Sequence, residues 1–252
     1  MKKNKSFTII ELLVVIAIIG LIASLVLVNM DLPAQRRRAK IAKTLEFSQS
    51  IQNALGIEAA GIWNFDEGLG ATNFADTSGN GNNGSCTGAS CPTATADTPQ
   101  AVLGQGAGKY ALSFDGNDYV DAGAGTSLNI TGSFTVEAWV YANSWPDNAS
   151  VIYSRYSGNS GIELRRDNSV MKIIVADGTS WFTAGGVDSH TPLNQWLHIA
   201  GTFNGTNLRL YINSILKGGP TAANDPASAS ATAVIGQRST LTNPWDGLID
   251  EV

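Results

Sequence analysis

Cysteine, histidine and charge are all scarce in this chain. Its 252 residues hold two Cys and two His, and 15% of them are charged. Two cysteines are too few for a disulfide-framed scaffold. The histidines, His190 and His198, stand at no spacing that supports a Ser-His-Asp triad. Basic charge is in deficit: 16 Lys plus Arg against 21 Asp plus Glu give a net charge of −5, which excludes a general basic nucleic-acid binder. What the chain does have is 27 Gly, abundant Asn, Ser and Thr, and 8% aromatics with six Trp. That is the composition of a turn-rich globular protein with bulk for one full core, and it excludes disorder throughout.

The charge is unevenly placed. Up to Lys43 there are eight basic and two acidic residues, net +6, which leaves net −11 for the rest. Within the basic part, Leu12 to Val28 is uncharged over seventeen residues, thirteen of them Leu, Ile or Val. As a helix this run measures roughly 26 Å, and Phe7 to Ile10 extends it past the roughly 30 Å of a bilayer core. Lys2, Lys3 and Lys5 precede it as a secretory n-region would, but Leu25 to Val28 resumes the apolar stripe where a signal peptide would be cut. Glu11 at the edge of the run is expensive in a membrane and needs a partner.

Residues Lys5-Ser6-Phe7-Thr8-Ile9-Ile10-Glu11-Leu12-Leu13-Val14-Val15-Ile16-Ala17-Ile18-Ile19-Gly20 resemble the class III signal of type IV prepilins and pseudopilins, with Ser6 where that family usually has Gly. The resemblance covers about the first 55 residues. It implies a leader over residues 1–6, cleavage by a prepilin peptidase between Ser6 and Phe7, methylation of the new amine, and pairing of Glu11 with the amine of a neighbouring subunit. It also implies a single-pass protein of the bacterial inner membrane, spanning at about residues 7–28, with its C-terminal domain outside the cytoplasm or on a surface filament. Counting charge alone leans the other way, because Arg36, Arg37, Arg38, Lys40 and Lys43 follow the span.

Asp31 and Pro33 punctuate the helix. Beyond them Ile41, Leu45, Ile51 and Leu55 keep near-helical spacing, so an amphipathic helix lying along the next domain is expected to about residue 56. From residue 57 the pattern changes to short apolar or alternating runs between Gly, Asn, Asp and Ser clusters. Strands are expected at residues 61–65, 110–114, 119–122, 134–141, 150–153, 161–165, 171–176, 196–203, 207–212 and 233–236, which indicates a sandwich or barrel. Asn204-Gly205 is a hairpin signal for a type I′ turn.

Several stretches in order resemble the laminin-G-like, concanavalin A-like jelly-roll family: Trp63-Asn64-Phe65-Asp66-Glu67-Gly68, Ala111-Leu112-Ser113-Phe114-Asp115-Gly116, Phe134-Thr135-Val136-Glu137-Ala138-Trp139-Val140, Trp196-Leu197-His198-Ile199-Ala200, Leu208-Arg209-Leu210-Tyr211-Ile212-Asn213 and Gly247-Leu248-Ile249-Asp250-Glu251-Val252. The fold class expected is therefore a long N-terminal α-helix, membrane-spanning and then amphipathic, followed by an all-β jelly-roll sandwich over residues 57–252. Ser214 stands where the family usually has Gly. The family pattern continues several residues past Val252, so a final strand is expected outside this chain. Such domains bind glycans, proteins or calcium, and some relatives are glycosidases.

Catalysis finds little support, because glycoside cleavage needs two carboxyls facing each other across a site and Glu137 stands alone in its strand. Calcium prefers roughly six to eight oxygens, and the loop from Asp76 to Gly84 offers Asp76, Asn80 and Asn82, with Asp250 near the other chain end as a fourth candidate. The same loop also reads as an Asx-rich turn without metal. Cys86 and Cys91 read as a disulfide closing a small loop outside the cytoplasm. Trp145, Trp181 and Trp245 lie in or beside loops, where they can stack on sugars or sit part-buried at the sandwich rim. The expected function is a pilin-like or pseudopilin subunit displaying a lectin-like adhesion domain, with prepilin peptidase, other subunits, the membrane, and glycans or surface proteins as partners. The alternative is a membrane-tethered glycan-degrading enzyme of the same fold.

Overall fold

The computed structural model describes residues 8–29, 32–145, 149–186 and 191–252. Ser6, Phe7 and His190 lie outside the described residues. The chain divides into two compact units, Met1–Lys40 and Ile41–Val252.

In the first unit, helix α1 (Ile9–Asn29) opens on a capping box. Thr8 donates its backbone N–H and its hydroxyl to the Glu11 carboxylate at 2.8 and 2.9 Å, and the Glu11 N–H returns a bond to Thr8 Oγ1 at 3.2 Å. Reciprocal bonds of this kind satisfy N–H groups that the first helical turn leaves free, so Glu11 has a local partner. The large aliphatic side chains from Ile9 to Ile22 are exposed around the helix. Among the described residues, no helix is long and apolar enough to cross a membrane.

Helix α2 (Leu32–Leu55) carries Pro33 at its second position, where a missing N–H costs nothing. Pro33 thus lies inside a helical start. Further along, Ile41, Thr44, Leu45 and Ser48 are buried. Ile41 and Leu45 pack with Ala111, Trp139, Trp196 and Leu248. The expected stripe therefore holds at its beginning and weakens toward Leu55, which is exposed.

The rest of the second unit is two antiparallel sheets. The strands are β1 (Asn73–Phe74), β2 (Gly84–Ser85), β3 (Thr93–Thr95), β4 (Ala111–Asp115), β5 (Val120–Gly123), β6 (Phe134–Ala142), β7 (Ser150–Ser157), β8 (Ser160–Asp167), β9 (Val170–Asp177), β10 (Trp181–Gly186), β11 (Trp196–Phe203), β12 (Asn207–Ile212), β13 (Ile215–Ala222), β14 (Ala233–Ile235) and β15 (Asp246–Asp250). One sheet runs β1-β2-β5-β14-β7-β8-β9-β10 and the other β13-β12-β11-β6-β15-β4-β3. Period-two alternation sends Phe134, Ala138 and Val140 of β6, Ile162 and Leu164 of β8, and Ile173 and Val175 of β9 into the core between them. The opposite face of β6 is also covered, because Trp139 is fully buried in the cluster with Ile41 and Leu45.

Several expectations are revised. Residues 61–65 form no strand: Trp63 pairs with Val252, but the neighbouring Ile62 N–H goes to the Asp76 carboxylate instead of a ladder partner. β10, β13 and β15 were not expected, because their Gly and Pro content lowers strand propensity; pairing with neighbours overrides it. The hairpin at Asn204-Gly205 forms, but only Gly205 has positive φ. The Asn204 side chain accepts the N–H groups of Thr206 and Asn207, which holds Asn204 itself on the ordinary side. A turn with two positive φ angles occurs instead between β12 and β13, at Asn213 (50°) and Ser214 (64°), the type I′ pattern. Left-handed backbone at a non-glycine residue costs roughly 1–2 kcal/mol, partly offset by glycine's greater unfolded-state freedom. Ser214→Gly should therefore raise stability by about 0.5–1 kcal/mol, read as a Tm increase of about 1–4 °C in a thermal melt.

Candidate functional site

The face of the eight-stranded sheet that points away from the core carries an aromatic and ionic array. Register places Tyr156, Gly161, Ala176 and Trp181 in one row across β7 to β10. The two inner positions are small, so the outer rings lean together over them: Tyr156 and Trp181 meet edge to face at 5.7 Å. Trp181 Nε1 donates to Asn159 Oδ1 at 2.9 Å, which fixes the ring while leaving Trp181 50% exposed.

The next row holds Ser154, Glu163, Ile174 and Thr183. Glu163 is 1% exposed yet fully satisfied. It accepts from Ser154 Oγ at 3.0 Å, Arg165 Nη1 at 2.9 Å, and Arg238 Nε and Nη2 at 2.7 and 2.9 Å. A buried carboxylate is tolerated only with partners of this quality. Arg165 also reaches Asp167 at 2.8 Å, and Lys172 lies 3.4 Å from the same carboxylate. The Glu163 hydrogen bonds hold the Arg238 guanidinium above its ordinary pKa, and it lies over the Tyr156 ring at 5.1 Å. The result is a half-exposed tryptophan beside a patch of ion-paired Arg, Lys, Glu and Asp side chains. Apolar ring plus fixed hydrogen-bonding groups is the combination that recognises a sugar.

Of the three loop tryptophans, only Trp181 is open. Trp245 is fully buried in the core, which corrects the expectation that it stacks on ligand. Trp145 packs edge to face on Trp245 at 5.5 Å, donates to the Thr191 carbonyl, and carries the Arg166 guanidinium over its ring at 4.5 Å. The Glu163–Arg238 network was missed in the sequence. Its only signal was Glu163, Arg165 and Asp167 at period two in one strand, and the partner Arg238 is 75 positions away.

The four calcium candidates are not brought together. Asp76 accepts the N–H groups of Ile62, Ser78 and Asn82 at 3.0, 2.9 and 2.9 Å. Asn80 donates to the Ala59 carbonyl, and Asn82 to the Ala60 carbonyl and Ser127 Oγ. Asp250 instead lies near Glu251, Asp66 and Lys109, where burial and then the Glu251 charge push its carboxyl well above the usual range. Among the described residues, no group of three or more His, Cys, Asp or Glu can hold a metal ion. The Asp76 carboxylate is the acceptor of an Asx-rich turn, with both of its oxygens taking backbone N–H groups. Cys86 and Cys91 form the disulfide expected. His198 is buried in β11 with Nε2 3.0 Å from Glu137 Oε2, so Glu137 braces the sheet, and it shares the lining of one cavity with Glu58 and Glu251.

Two family models match the chain. The concanavalin A-like lectin/glucanases superfamily model covers residues 114–252, and the prokaryotic N-terminal methylation motif covers residues 1–27. No curated protein matches. Among solved structures, domain 4 of AbnA, a GH43 extracellular arabinanase from Geobacillus stearothermophilus in complex with arabinotriose, is 20% identical with a TM-score of 0.57, covering 76% of this chain and 89% of that one. The botulinum neurotoxin serotype D ligand-binding domain in complex with N-acetylneuraminic acid is 19% identical with a TM-score of 0.55, over 79% of this chain and 48% of that one. The serotype G binding domain is 15% identical with a TM-score of 0.57, over 77% and 46%. The chain thus spans about half the length of the toxin binding domains, and at these identities the likeness establishes the fold.

Asp76 gives a direct test of the turn. Burial raises its carboxyl pKa, but the bonds from Ser78, Ile62 and Asn82 together outweigh that and lower it from 3.8. Its stabilising contribution is therefore present above pH 3.8 and lost as the pH falls through the lowered value. Asp76→Ala should cost about 1–3 kcal/mol at neutral pH, with the same loss in calcium and in chelator when melts are compared.

Proposed function

Because the chain belongs to the concanavalin A-like lectin/glucanases superfamily over residues 114–252 and carries the prokaryotic N-terminal methylation motif over residues 1–27, we propose that it is a type IV pilin-like or pseudopilin subunit that displays a glycan-binding sandwich outside the cytoplasm. The conjunction of the two matches in one chain carries this reading. In it, prepilin peptidase cuts between Ser6 and Phe7, and the apolar segment that follows the cut anchors the subunit in the membrane before packing among other subunits. The exposed aliphatic surface of α1 supports the packing step, since an apolar helix surface is stable only when lipid or other helices cover it.

Glu11 is assigned the amine of a neighbouring subunit. Within one chain its carboxylate is held by Thr8, so assembly exchanges a local capping bond for an ion pair in a medium of low dielectric constant, where charge attraction is stronger. For the sandwich, the exposed Trp181 ring and the surrounding polar side chains support saccharide recognition, and two of the structural relatives carry saccharides. A binding role is favoured over catalysis because Glu163 and Glu137 are each engaged in hydrogen bonds within the protein.

The mutation Glu11→Ala tests the assembly role. Removing the acid makes the span more apolar, so membrane insertion should be unchanged. Filament yield, counted by electron microscopy against membrane-fraction protein, should fall at least tenfold. Filaments at wild-type abundance would show that Glu11 does not carry assembly.

A further inference from the structure

The sheet face beside Trp181 carries one charge that its own ion pairs do not balance. Register sets three outward pairs across β9 and β10: Ala176 with Trp181, Ile174 with Thr183, and Lys172 with Gly185. Trp181 therefore marks one end of a strip and Lys172 the other. Four residues of β9 separate Lys172 from Ala176, roughly 13 Å at about 3.4 Å per residue. Between them the floor is formed by Ile174 and Thr183, neither of them charged. Lys172 leans toward Asp167, which lies beside Val170 and so on the side away from Trp181.

Among the described residues, ion pairs on this face join Arg165, Lys172 and Arg238 to Glu163 and Asp167, three cations to two anions. Glu163 is taken by Arg165 at 2.9 Å and Arg238 at 2.7 Å. Asp167 is taken by Arg165 at 2.8 Å, and Lys172 reaches the same oxygen only at 3.4 Å. The surplus positive charge therefore falls on Lys172. Its ammonium has three donors, and a long contact to an oxygen already bound by a guanidinium engages one of them weakly. The Lys172 side chain is 22% exposed. Its neighbour on β10 is Gly185, where a Cβ would come within 3.2 Å of Lys172 Cγ, so the lysine stem lies over a position that holds no side chain.

We propose that this strip takes an acidic oligosaccharide, with one sugar ring on Trp181 and the carboxylate of a later sugar on the Lys172 ammonium. The proposal rests on the saccharide reading of the Trp181 face and adds the class of sugar. One ring cannot touch both ends of the strip, so the ligand is a chain of rings lying along β10. Lys172 gives up little in turning to it, because Arg165 keeps the Asp167 carboxylate paired. A neutral chain of the same shape would still meet the Trp181 ring but would lack the ion pair, and a charge-assisted hydrogen bond is the stronger kind.

The test is titration calorimetry on the full chain in a neutral detergent. The probes are tetramers of galacturonic, mannuronic and guluronic acid, each beside its methyl ester, which keeps the ring and removes the charge. At least one acid should bind about tenfold more tightly than its ester, and added salt should narrow that gap. Lys172→Met should bring the acid down to the affinity of its ester, whereas Lys172→Arg, which keeps the charge, should preserve most of the difference. Trp181→Ala should weaken acid and ester alike. Equal binding of acid and ester, both lost in Trp181→Ala, would overturn the acidic class and leave the Trp181 face as a saccharide site. An acid preference that survives Lys172→Met would overturn the role given to Lys172. Binding by none of the acids would overturn the proposal, and absence of ester binding as well would remove the saccharide reading with it.

Discussion

The structure depends on β6 being enclosed on both faces. Ala138 and Val140 face the core between the sheets, while Trp139 faces the other way and is fully buried beneath Ile41 and Leu45 of α2. Truncating a buried aromatic of this size costs about 3–5 kcal/mol, so the cover that Ile41 and Leu45 give Trp139 is a substantial part of what stabilises this face of the sheet. This one constraint decides which part of α2 belongs to the sandwich. It also explains why sheet residues that would face solvent in an isolated sandwich, such as His198 and Trp196, are buried here. Phe47 meets His198 edge to face at 5.9 Å, extending the same contact along the helix.

The opposite sheet, free of the helix, presents the polar chemistry. Its core side is aliphatic and its outward side carries Glu163, Arg165 and Lys172 at alternate positions, with Arg238 brought over them from the segment between β14 and β15. A carboxylate that accepts four hydrogen bonds is a rigid element and a poor acid or base, whereas an exposed ring fixed by Asn159 and Tyr156 is a ready contact surface. The two sheets thus differ in their outer faces: one is covered by the α2 stripe, and the other carries the ion-paired and aromatic side chains.

Much of this was legible in the sequence where the chemistry is local. The helical character of the aliphatic run, the alternation in β6 and the proximity of Cys86 to Cys91 each act over a few residues, and the structure shows the helix, the strand and the disulfide. Where contacts are distant the reading fell short. Trp245 sits beside Pro244 and Asn243 and reads as a loop residue, but the tertiary fold draws it into the core. Asp76 looks like an oxygen ligand because its loop is rich in Asn and Gly; the N–H groups that occupy it come from turns whose geometry only the folded chain defines. Strands β10, β13 and β15 were invisible because Gly and Pro conceal a pairing imposed by neighbours. Ser214, by contrast, was noticed as a departure from glycine, and its left-handed backbone supplies the physical reason.

The central claim is that one chain joins a filament-forming helix to an outward-facing recognition domain. Immunogold electron microscopy of cells producing the protein, with an antibody raised against the sandwich, examines this most directly. Gold distributed along, or at the tips of, thin surface filaments is the result the account predicts. Filaments present but unlabelled, with gold confined to the cell body, would contradict it.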